Sequence, residues 1–142
     1  MVIIEERIFV YGTLMKGFKN YIKYLEGKVV SIEGAKTKGR LYHIKNKGYP
    51  ALCGGEDDVY GELITINTDG NIIKQLDVLE SYNEKQEILN EYNRYPIEIS
   101  VSHNNNLVMD AYIYNLECLA NEKDELIYIP YGDWRRYLKL IN

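Results

Sequence analysis

The chain has 142 residues, 46 % of them hydrophobic and 27 % charged, which suits a single globular domain over residues 1–142 with a core of its own. A formal net charge of −4 with no dense basic face argues against a nucleic-acid partner, and no apolar run approaches the ~20 residues of a membrane span. Cys53 and Cys118 stand far apart, with neither a disulfide framework nor CxxC spacing, so a reduced, cytoplasmic setting is expected. Met1 to Arg7 carries two Glu before any long apolar run and does not read as a signal peptide. Tyrosine occurs 14 times against two Phe and one Trp. Its ring can be buried while its hydroxyl stays polar, so the excess fits a wet pocket, a homodimer interface or plain compositional bias, and monomer and homodimer both stay open.

In chain order, Arg7 to Tyr11 reads as a strand buried on both faces, because its apolar residues are continuous. It opens through Gly12 toward a helix predicted over Asn20–Glu26, with Tyr21, Tyr24 and Leu25 on one face and Gly27 as its stop. Lys28 to Ile44 is β-like, with bulge or bend signals at Gly34 and Gly39. Pro50 marks an edge or a turn into a short strand, Gly54 to Asp58 is predicted as a polar turn, and Val59 to Ile66 as an alternating strand. Ile72, Ile73, Leu76 and Leu79 recur at helical spacing, so a helix is predicted to about Glu80. The polar stretch Ser81–Glu91 reads as a long loop or a second exposed helical turn. Tyr95–Ser102 and Leu107–Asn115 form a predicted hairpin around His103-Asn104-Asn105-Asn106. Asp133 is placed to cap a last helix that docks Trp134, Tyr137, Leu138 and Ile141. Strands outnumber helices, which makes the class α+β, with a small barrel as the plausible architecture.

Two places invite chemistry. A strand that opens through glycine toward a helix leaves backbone N–H groups unpaired, so Tyr11 to Leu14 reads either as an anion-ready loop or as a plain strand-to-helix turn. Glu80 falls at a helix C-terminus, where the dipole disfavours the ionised carboxylate and raises its pKa. In a partly apolar site such a group becomes a general acid/base, although spacing alone favours a solvated surface Glu. Arg94 can clamp a carboxylate or pair with the acids at 84–91. His43, His103 and the two cysteines have no metal-ligand spacing, and Cys53 reads as a small buried hydrophobe.

Three stretches taken together carry a resemblance: Phe9-Val10-Tyr11-Gly12-Thr13-Leu14, Val59-Tyr60-Gly61-Glu62-Leu63 and Leu76-Asp77-Val78-Leu79-Glu80-Ser81-Tyr82. Gly48 to Leu52, Tyr92-Asn93-Arg94, Ala111 to Tyr114 and Gly132 to Arg135 support it. The chain resembles the gamma-glutamylcyclotransferase-like (AIG2-like) family over nearly its whole length. The resemblance implies a small mixed β-barrel flanked by short helices. It implies a gamma-glutamyl small-molecule substrate, no cofactor and no metal. It casts Glu80 as the general acid/base that closes the ring of 5-oxoproline and frees an amine. Tyr11, Gly12, Thr13 and Leu14 would form the substrate-binding loop, with Gly61, Tyr114 and Arg94 as further substrate-binding positions. A binding module without turnover, and removal of a gamma-glutamyl group from a biosynthetic intermediate, are the alternatives on the same fold. The family's usual Gly after the glutamate is Ser81 here.

Overall fold

The computed structural model describes residues 4–142, Asn105 by its backbone only. Ile8, Phe9 and Val10 are consecutive, β-prone and buried, and they end the first strand, β1 (Ile4–Val10). The other strands are β2 (Val29–Ile44), β3 (Tyr49–Thr68), β4 (Tyr92–Val101), β5 (Asn104–Tyr114) and β6 (Leu126–Ile129); the α-helices are α1 (Ile72–Leu79) and α2 (Trp134–Ile141). The sheet runs β1-β3-β2-β4-β5, with β6 added to β2. β2 is long enough to serve two neighbours on one edge, β4 along Ala35–Thr37 and β6 along Leu41–Ile44. β1 also packs against β5, so the sheet curls around its core. This is an α+β fold, a curled sheet flanked by short helices. Where a mixed barrel is implied, every ladder among the described residues is antiparallel.

Several elements differ from the sequence reading. The polar run Gly54–Asp58 does not reverse the chain. It lies inside β3, opposite the register jump from Gly39↔Asp57 to Arg40↔Cys53, so it is a bulge in one continuous strand. Pro50 pairs with His43 where β1 no longer flanks β3, which leaves its missing N–H on an open edge. The hairpin turns at Ser102-His103, and the Asn residues that follow already belong to β5. The helix expected at 20–26 is a single wide turn, Tyr21–Leu25, in which the Glu26 N–H donates to the Tyr21 carbonyl at 2.9 Å. β6 was not foreseen: it has four residues, and its order comes from pairing with β2 rather than from a pattern of its own.

Both helices pack through a few apolar side chains. α1 buries Ile72 and Leu76. α2 is capped by Asp133, whose Oδ1 accepts the Arg136 N–H at 3.0 Å, and it buries Trp134 against the His43 ring. Ile141, expected to dock, is exposed one turn beyond this contact. No helix among the described residues is long and apolar enough to cross a membrane.

Candidate active site

The end of β1 delivers Tyr11 to Leu14 to one wall of an open-mouthed cavity. No helix starts at Gly12. The chain turns instead, with the Met15 N–H on the Gly12 carbonyl at 3.0 Å, and the Tyr21 N–H returns to the Thr13 carbonyl at 3.1 Å. Asn20 Nδ2 donates to Thr13 Oγ1 at 2.7 Å, and the Lys16 N–H donates to Glu62 Oε1 at 2.7 Å. The loop is therefore fixed through its carbonyls and side chains. The N–H groups of Gly12, Thr13 and Leu14 find no acceptor among the described residues. The expected unpaired donors are present, but they belong to the loop itself and not to a helix N-terminus. Gly12 is required by its neighbour, since a Cβ there would lie 2.5 Å from the Pro50 ring.

Glu80 reaches the same cavity from the end of α1. The Ser81 N–H donates to the Val78 carbonyl at 3.1 Å and the Tyr82 N–H to the Asp77 carbonyl at 2.8 Å. That pair of bonds is a Schellman cap, which needs a left-handed residue in its middle. Ser81 supplies it, with φ +56°. A residue without glycine's freedom thus adopts glycine's conformation, and α1 stops with Glu80 facing the cavity. Burial of its carboxyl comes first, and the charge of Glu91 second, in pushing its pKa up to about 7.

The rest of the lining was not expected at the site, although most of it lies in the stretches that carry the resemblance. Tyr49 and Pro50 come from β3, Tyr92 from β4, Tyr112 from β5, and Asn20 and Glu91 from the connections. Four of the fourteen tyrosines, Tyr11, Tyr49, Tyr92 and Tyr112, line this one cavity, so part of the tyrosine excess is pocket lining. Their hydroxyls are spoken for. Tyr11 donates to the Tyr112 carbonyl and Tyr92 to the Pro50 carbonyl, both at 2.6 Å, and Tyr112 donates to Asp77 Oδ1 at 2.7 Å. Burial raises the pKa of both Tyr11 and Tyr92, which keeps them neutral donors. Glu91 had no distinguishing signal in a stretch that also holds Glu84 and Glu87.

Three residues of the expected binding set lie elsewhere. Gly61 is off the cavity and packs behind the loop, where a Cβ would sit 2.2 Å from the Val10 carbonyl oxygen; it lets β1 approach β3. Tyr114 faces away and donates to Asp124 Oδ2 at 2.6 Å. Arg94 is held by Asp77 Oδ1 at 2.9 Å and Asp110 Oδ2 at 2.8 Å, which fastens the last turn of α1 to β4 and β5. Lys16 and Lys19 point to solvent. Among the described residues, no three His, Cys, Asp or Glu side chains are grouped to hold a metal ion.

The fold recurs in solved structures. YkqA from Bacillus subtilis aligns at TM-score 0.64 and 23 % identity over 97 % of this chain, which spans only 42 % of that protein. PH0828 from Pyrococcus horikoshii aligns at 0.61 and 19 %, covering 96 % of this chain and 95 % of that one. An AIG2-like protein from Mus musculus aligns at 0.66 and 19 %, covering 92 % and 88 %. At these identities the likeness shows the fold alone. No curated protein matches the chain. The model of one family, described as "Gamma-glutamyl cyclotransferase, AIG2-like", matches residues 8–136, so the loop, Glu80 and the capped α2 all fall inside the match. The chain belongs to the AIG2-like gamma-glutamyl cyclotransferase family.

Proposed function

We propose that the chain is a gamma-glutamyl cyclotransferase that releases 5-oxoproline and a free amine from a gamma-glutamyl amine or gamma-glutamyl amino acid. One observation carries the reading: a carboxyl that titrates near 7 and a loop of unpaired N–H donors line the same cavity. A glutamyl group needs both. Its α-carboxylate and the oxyanion that develops on its γ-carbonyl each call for fixed donors, and Gly12, Thr13 and Leu14 present them at no reorganisation cost. Glu80 takes a proton from the α-amino nitrogen. That nitrogen attacks the γ-carbonyl carbon, the five-membered ring closes, and the bond to the other nitrogen breaks. Glu80 returns the proton to the departing amine. Ring closure is intramolecular, so positioning and one acid/base group suffice. The two cysteines are free and buried, which fits the cytoplasmic compartment in which we place the reaction.

Incubation with a panel of gamma-glutamyl amino acids and gamma-glutamyl amines, with 5-oxoproline followed by mass, tests the proposal. Release from at least one member of the panel supports it. Tight binding across the panel with no 5-oxoproline formed overturns it in favour of a binding module on this fold.

A further inference from the structure

The cavity holds two carboxylates and no lysine, arginine or histidine. The two acids are not equivalent. Nothing in the protein donates to the Glu80 carboxyl among the described residues. Glu91 is saturated on one side: its Oε2 accepts the Tyr49 hydroxyl and Lys47 Nζ, the latter at 2.8 Å. Lys47 is steadied from behind by Asp124 Oδ2 at 3.0 Å, and Asp124 is steadied by the Tyr114 hydroxyl. Oε1 of Glu91 has no protein donor among the described residues. Where two carboxylates share a cavity their charges repel, and here the donors fix only Glu91 in place.

We propose that Glu91 is a second functional carboxylate of this cavity, a fixed anion whose Oε1 receives the α-ammonium of the glutamyl group beside Glu80. The inference rests on the glutamyl reading above, which requires a substrate with that ammonium. It divides the work between the two acids. Glu91 binds the cation through its free Oε1, while Lys47 and Tyr49 fix its Oε2. Glu80, with no donor of its own, takes one proton from the ammonium before ring closure and passes it to the leaving nitrogen; the second proton lost as the ring nitrogen becomes the lactam N–H goes to solvent. The other groups facing the pair are Tyr11 from the loop after β1, Tyr92 from β4 and Tyr112 from β5, all neutral hydroxyls with acceptors of their own. Asp124 lies behind Lys47 and reaches the pair through it.

Two ligands separate an ammonium anchor from a structural acid. L-glutamine carries the α-ammonium, whereas 5-oxoproline keeps the carboxylate and the carbonyl but lacks it. In calorimetric titrations, Glu91→Gln should weaken L-glutamine by about tenfold or more and leave 5-oxoproline nearly unchanged. Carboxyl NMR adds a readout that does not depend on turnover. The Glu80 midpoint should fall by about one pH unit in Glu91→Gln and rise in Lys47→Met, since the two variants remove charges of opposite sign. Equal weakening of both ligands, no wild-type affinity for L-glutamine, or a Glu80 midpoint that stays put or moves the same way in both variants overturns the inference. A chain that turns over no gamma-glutamyl compound while passing these tests would instead overturn only the catalytic reading.

Discussion

Glu80 is the residue whose environment asks most of the fold. Its carboxyl is pushed from about 4.5 to about 7 by burial and then by Glu91. Below about pH 4.5 the folded and unfolded chains both hold the proton. Between 4.5 and 7 only the folded chain does, so stability falls as pH rises through that window and is level above it. Glu80→Gln should therefore be the more stable protein above pH 7, by roughly 3 kcal/mol, with the gap closing below the window. Urea titrations at both ends of the window measure this, and a gap that does not depend on pH would remove the buried charge as its cause. Ser81 carries backbone strain. A left-handed non-glycine costs roughly 1–2 kcal/mol, so Ser81→Gly should gain about 1 kcal/mol in thermal unfolding and keep its activity. No gain in Ser81→Gly would mean that the cap carries no strain.

At the scale of elements, the end of α1 is what aims Glu80, and it is held from outside as well as by its own cap. Arg94 ties Asp77 to β4 and β5, and Tyr112 adds a hydroxyl to the same carboxylate. Arg94→Met would leave Asp77 half-buried without its cation. The expected loss is about 2 kcal/mol of stability, below that of a fully buried pair because both side chains keep some solvent, together with a lower kcat as the last turn of α1 loosens. Denaturation and steady-state rates check it, and an unchanged kcat would show that the Ser81 cap alone fixes Glu80. The elements that could be read from sequence are those with a period of their own. Ile8 to Val10 is a continuous apolar run, and α1 repeats at helical spacing. β6 and the bulge at Gly54–Glu56 have no such signature, because β2 imposes both through pairing.

At the scale of the whole molecule, the topology makes the site. β1 lies next to β3 and against β5, so the loop after β1, the start of β3 and the tyrosines of β4 and β5 meet at one mouth. The loop and Glu80, each with a local mark (glycine after a buried strand, an acid at a helix end), both line the cavity. Gly61, Tyr114 and Arg94, expected to bind substrate, sit in family-like stretches but off the cavity, in packing, a Lys47–Asp124 cluster and the α1 clamp. The sequence reading passed over Glu91 because only the fold brings that acid opposite Lys47 and Tyr49. The most direct measurement is 5-oxoproline release by wild type and by Glu80→Gln, followed by mass from about pH 5 to pH 9 on the gamma-glutamyl panel. Wild type should release it, with kcat/KM climbing along a limb near pH 7, and a folded Glu80→Gln should lose about a hundredfold or more. Turnover by Glu80→Gln at the wild-type rate, or a wild type inert on the whole panel, would contradict the role given to Glu80.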